Sequence, residues 1–162
     1  MVAHDIFPTP LHNHTDCIQK ALKHADEVCQ LHRVKLTSQR RRVLELVWGS
    51  HKPIGAYELL DLLCERDGKR PAPMTVYRAL DFLIEQGLVY RLASLNAYVG
   101  ASSSSDAHNA CFFVCDDCGQ AAEVTDDDVE KAISEKANRI GFIVNLNTVE
   151  VSGRCLRCKD SV

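Results

Sequence analysis

Apolar residues recur at helical spacing through the first half of the chain. Between Asp16 and His32, the positions Ile18, Leu22, Ala25, Val28, Cys29 and Leu31 fall near a 3.6-residue period and predict a first helix. Thr37 then stands as an N-cap before SQRRRVLELVW, where Val43, Leu44, Val47 and Trp48 make an apolar stripe. After the turn HKPIG, AYELLDLLCERD predicts a third helix with Leu59, Leu60 and Leu63 inward. DGKRPAP reads as a Pro/Gly-rich loop. In the fourth helix Val76, Ala79, Leu80, Leu83 and Ile84 fall at i, i+3, i+4, i+7 and i+8, with Thr75 as cap and Gly87 as stop. LVYRLAS and NAYVG alternate and predict a small hairpin. Short helices closed by a hairpin are the plan of a winged helix-turn-helix.

The pattern breaks at ASSSSDAHNA, a linker. Beyond it CFFVC and QAAEV predict two strands, DDDVEKAISEKANRIG a helix and FIVNLNTVEVSG a further strand. The fold class is therefore α+β. The division expected is a tail over 1–14, a winged-helix domain over 15–99, a hinge linker over 100–110 and a small α/β domain over 111–162. A core as small as that last one needs a staple or a partner subunit.

Composition narrows the class. Of 162 residues, 46% are hydrophobic and 25% charged, which excludes wholesale disorder. No run approaches the ~18 apolar residues of a membrane span. The opening MVAHDIFPTPLHNH lacks the basic and apolar regions of a secretory signal, so a cytoplasmic protein is expected. The net charge of -3 argues against a nucleic-acid partner, but its distribution argues for one. Residues 15–95 hold 13 Lys and Arg against 10 Asp and Glu, whereas residues 96–162 hold 6 against 11. Only the first half can carry a basic face.

Eight cysteines are too many for idle use in a reducing compartment, and their spacing sorts them. Cys115 and Cys118 form one C-x-x-C pair and Cys155 and Cys158 another. Each pair can turn two thiolates onto one ion, and four thiolates complete a tetrahedral shell that suits Zn2+. A closed shell leaves no position for chemistry, so this site is expected to be structural. Cys17, Cys29 and Cys64 sit at apolar or boundary positions of the helices and read as small core residues. His4, His12 and His14 read as part of a solvated tail.

The face of the fourth helix opposite its stripe begins with Thr75, Tyr77 and Arg78. The first turn of a recognition helix reaches base edges, and arginine pairs bidentately with guanine. Arg40 and Arg41, with Arg42, open the second helix, where phosphates of a duplex could be held, and Tyr57 opens the third.

LTSQRRRVLELV, AYELLDLL, MTVYRALDFLIEQGLVYRL and the two C-x-x-C pairs resemble the ferric uptake regulator family, in family order, over most of residues 20–158. TVYRALDFLIEQGLV, LNAYVG and CDDCG look most like its zinc uptake regulator branch. The resemblance implies a homodimeric repressor with an N-terminal winged-helix DNA-binding domain and a C-terminal dimerisation domain. It implies double-stranded operator DNA as partner, zinc-import genes as targets, and neither membrane nor small-molecule substrate. It also implies a second, regulatory zinc at the hinge. His108 and Glu123 stand where zinc-branch members carry ligands, but two further positions of that pattern fall on Tyr90 and Ala101. Cys111 and Asp106 are the nearest replacements, and Cys111 is the expected third ligand. The His-rich run of iron members is absent, which disfavours an iron or peroxide sensor. A zinc-ribbon interaction module that never binds DNA is a different class of reading, opposed by the Tyr-Arg helix. No nucleophile–base pair or phosphate loop points to an enzyme.

Overall fold

The computed structural model describes residues 7, 13–102, 109–124, 127–145 and 147–159. Four helices come first: α1 over His14–Leu31, α2 over Ser38–Val47, α3 over Ala56–Asp67 and α4 over Pro73–Glu85. Asn13 caps α1, its side chain accepting from the Thr15 amide, and Thr37 caps α2 as expected, accepting from the Arg40 amide. Thr75 is not the cap of α4. That helix starts two residues earlier, behind Ala72, with Pro73 in its first turn, and the Thr75 amide donates to the Ala72 carbonyl. Proline at the first helical position comes with φ already set, which outweighs the weaker side-chain cap available from Thr75. At its other end Leu88 N–H donates to Leu83 and Gly87 N–H to Ile84, the paired bonds of a Schellman ending.

The stripes read from the sequence converge. Val43, Leu44, Leu59, Leu60, Leu63, Val76, Leu80 and Leu83 are at most 1% exposed and form one core with Ala25 and Cys29 of α1. Burial raises the Cys29 thiol above its ordinary range, in keeping with a core residue.

Strands β1 (Val89–Leu92) and β2 (Ala97–Gly100) form the antiparallel wing, tied back by a bridge between Ile54 and Tyr98. The second sheet has the order β4-β3-β5, from β3 (Asn109–Cys115), β4 (Ala121–Val124) and β5 (Asn147–Gly153). β3 pairs antiparallel with β4 and parallel with β5. The parallel pairing requires a crossover, supplied by β4 and helix α5 (Asp127–Arg139). A last turn of helix, α6, covers Leu156–Lys159. The strand predicted from Phe142 begins only at Asn147, and Phe142 and Ile143 lie exposed outside it.

One face of this sheet packs on the wing. Ala110, Phe112, Val114 and Ala121 share a buried cluster with Tyr90, Leu92 and Ala101. Tyr90 meets Phe112 edge-on, ring centroids 5.2 Å apart. The two halves thus meet through a common apolar cluster rather than through a linker alone.

Candidate metal centre and nucleic-acid interface

Parallel pairing decides where the cysteines go. Cys115 ends β3 opposite Gly153 of β5, so both strands run out on the same side. The chain turns back after β3 through Asp116–Gly119, and after β5 through α6, and each turn carries a C-x-x-C pair. Gly119 has φ +70°, a value that L side chains rarely adopt, and its N–H closes the first turn onto the Cys115 carbonyl at 2.8 Å. Cys158 N–H closes the second onto Cys155 at 3.1 Å.

The Sγ atoms of Cys115, Cys118, Cys155 and Cys158 lie within 4.8 Å of one another. A tetrahedral Zn–S shell with bonds of ~2.3 Å needs S–S separations of about 3.8 Å, so small side-chain rotations close it. The surroundings support charge on the sulfurs. Burial works against ionising Cys115, but N–H groups of Cys118, Cys155 and Asp117 outweigh it and bring that thiol down to about 6. The Cys155 amide donates to Cys115 Sγ at 3.4 Å. Once one thiolate has formed, its neighbours resist. Cys158, hydrogen-bonded to Cys155, is pushed up to about 12, and burial raises Cys118. Four thiols that cannot ionise together without a cation, in a donor set of soft sulfur, fit zinc. Around them Arg154 pairs with Asp117 at 3.1 Å and Arg157 donates to Gln120 at 2.6 Å, fixing both turns.

Of the residues expected to hold a second ion, Cys111 and Glu123 are among those described. His108 and Asp106 lie outside the described residues. Glu123 is opposite Phe112 in the β3–β4 ladder, whereas Cys111 is opposite Val124. Neighbouring residues of a strand face opposite ways, so Cys111 and Glu123 point to opposite faces of the sheet. Cys111 is buried on the face away from the wing and does not join Glu123 at one ion; the third-ligand expectation is corrected by this register. Glu123 instead faces the wing, where its carboxylate accepts from the Ser102 amide at 2.7 Å.

In the first half of the chain Tyr57 and Tyr77 line one cavity of about 420 Å³ with Arg91 and Asn96 of the wing. Tyr57 is 67% exposed at the start of α3, and Thr75 and Arg78 are exposed at the start of α4. Arg91 was not singled out from the sequence; its place in VYRL, outward between buried Tyr90 and Leu92, carried the signal. Arg91 donates to Asn96 at 2.8 Å, which holds the wing tip. Arg40 and Arg41 differ from the open cations expected. Arg40 donates to the Lys35 carbonyl at 2.6 Å and stacks 3.5 Å from the centre of the Phe82 ring. Arg41 pairs with Asp26 of α1 at 2.5 Å, and Arg42 with Asp67 at 2.8 Å. These contacts tie α2 to the elements around it.

Among the described residues no helix is long and apolar enough to cross a membrane. The profile of the ferric uptake regulator family matches residues 32–152. The zinc uptake regulation protein of Escherichia coli (strain K12) is 40% identical over 141 residues, 86% of this chain and 82% of that one. A solved zinc uptake regulator complexed with zinc and DNA superposes with a TM-score of 0.82 at 39% identity, over 88% of this chain and 95% of the other. Holo XcZur gives 0.80 at 37% identity, over 89% and 99%. Apo XcZur, at 38% identity and the same coverage, gives only 0.52.

Proposed function

Given that this chain belongs to the ferric uptake regulator family, we propose that it is a zinc-responsive transcriptional regulator. It acts mainly as a repressor, binding operator DNA of zinc-uptake genes as a homodimer when loaded with zinc, and it is not an enzyme. The observation that carries this reading is the TM-score of 0.82 to a zinc- and DNA-complexed regulator over 88% of the chain. The contrast between holo and apo XcZur supports it further: at near-equal identity, the arrangement seen here follows the holo form.

The chemistry follows from the parts. Thr75 and Arg78 reach base edges from the first two turns of α4, with Tyr57 and Tyr77 beside them. Arg41 and Arg40 meet phosphates only by sharing their present partners. Zinc on Cys115, Cys118, Cys155 and Cys158 supplies cross-links in place of a large core, so its binding energy is folding energy for the sheet. Glu123 belongs to the regulatory ion, to which the resemblance also assigns His108. Such an ion raises DNA affinity without touching DNA, because it removes an ordering cost that binding would otherwise bear.

The homodimer is supported by apolar surface around α5 and the outer sheet face. Among the described residues Ala137 alone of α5 is buried, while Ile140, Phe142, Ile143, Phe113 and Val151 are exposed. The reading keeps a winged-helix domain over 15–99, a hinge over 100–110 and a dimerisation domain over 111–162, in a cytoplasmic protein.

The deciding experiment measures zinc per chain before and after mild chelation, with binding to operator and scrambled duplexes at each stage. Loss of a second zinc together with operator affinity, while the first zinc and the fold remain, is the expected result. Operator binding that ignores zinc overturns the reading.

A further inference from the structure

The face of the sheet that carries Glu123 meets the turn before α3, on which the start of α1 packs, and the side chains gathered there are of types that can ligate metals. His51 and Glu123 line one cavity of about 220 Å³ with Ser102 and Trp48. The backbone fixes the first two: the Ala121 amide of β4 donates to the His51 carbonyl at 3.1 Å, and Glu123 holds the Ser102 amide at 2.7 Å. His14, the first residue of α1, lays its ring on that of His51, centroids 4.7 Å apart and tilted by 42°. Cys17 stands one turn further along the same face of α1. It lines an adjoining cavity of about 150 Å³, which Trp48 and Ser102 share with the first and which the small side chain of Ala101 leaves open. All four candidate side chains are half-buried.

We propose that His14, Cys17, His51 and Glu123 form a second metal site that binds Zn2+ and staples α1 and the α2–α3 turn to β4. The proposal rests on the zinc-responsive reading above and sets His14, Cys17 and His51 around Glu123 of its regulatory ion, in the places that the resemblance gives to His108 and Cys111. The set offers two imidazoles, a thiolate and a carboxylate, a mixed N, S and O shell that suits tetrahedral zinc. It is looser than the first site. Among the described residues only the four cysteines have three or more ligand atoms within 4.8 Å of one another. The ion therefore has to draw these side chains inward around Trp48, which gives the weaker affinity a sensor needs and ties metal uptake to a movement of α1. Each ligand comes from a different element except the α1 pair, so an ion here restrains the winged-helix part against the sheet.

The test uses the full chain with zinc already on the four cysteines, titrated with cobalt and separately with zinc. The wild type is expected to take a second ion with a thiolate-to-cobalt charge-transfer band. His14→Ala and His51→Ala should weaken it by at least the roughly 10–100-fold that loss of an outer partner of a metal site costs, and Cys17→Ser should abolish the band. Retention of the first zinc confirms that each variant is folded, and Cys111→Ser should titrate as wild type. If all three variants take the second ion with unchanged affinity and spectrum, the proposal fails, although zinc-dependent DNA binding would leave the functional reading standing. If the ion is lost as expected but DNA binding never depended on zinc, the site stands and the functional reading falls.

Discussion

Glu150, in β5, holds Ser94 at the tip of the wing. Its carboxylate accepts the Ser94 hydroxyl and the Ser94 amide, and the Ala93 amide at 2.7 Å. The second sheet thus grips the end of the β1–β2 hairpin, the wing. Although burial alone would raise the Glu150 carboxyl, these donors outweigh it and hold it below the ordinary carboxylate range. A carboxyl lowered in the folded state stabilises fully above its unfolded value and loses that contribution as pH falls through the folded one. The grip should therefore hold at neutral pH and release on acidification below the usual carboxylate range. Glu150→Ala should cost about 1 kcal/mol after allowance for solvent and speed amide exchange at residues 93–96. Exchange there that is unchanged in the variant would refute the grip.

Cys118→Ser should remove the first zinc and unfold the sheet. The ~10–16 kcal/mol that a structural zinc contributes matches or exceeds the whole stability of a small domain. A variant with unchanged melting temperature would show the site to be dispensable. Because Cys118 and Cys158 are raised and must lose protons to bind, zinc affinity should climb with pH through the neutral range. Competition titrations with a chromogenic chelator at several pH values measure that slope.

Arg78→Ala should lower operator affinity by ~1–3 kcal/mol and blur base preference, as loss of a base contact does. Arg41→Ala should weaken operator and scrambled duplexes alike, and also cost up to ~1 kcal/mol of stability through the lost Asp26 pair. Titrations on both duplexes at one salt concentration separate the two roles. An equal loss on both duplexes for Arg78→Ala would remove it from base reading.

Gly100→Ala should destabilise the junction. A Cβ there would sit 2.2 Å from Trp48 Cε2, so the indole that divides the two cavities must shift. The expected cost is ~1–3 kcal/mol, with reduced uptake of the second ion. Thermal unfolding and metal titration of the variant check both.

The helices of the first half were legible because each carries its own apolar stripe and stop, as α3 over Ala56–Asp67 shows. The four-cysteine centre was legible because a C-x-x-C spacing builds its own turn whatever surrounds it. Other features lay beyond the sequence. Whether Cys111 or Phe112 shares a face with Glu123 depends on strand register, which a shift of one residue reverses. Whether Arg40 is open depends on Phe82, 42 positions away along the chain and 3.5 Å away in space. His14 and Cys17 looked like a tail residue and a core residue until packing of α1 laid them beside His51 and Ala101. Local periodicity and spacing by themselves determined the elements and the two turns that each present a pair of cysteines, Cys115 with Cys118 and Cys155 with Cys158. The tertiary structure decided every contact between distant segments, because such contacts are set by how apolar faces pack and no short stretch of sequence contains both partners.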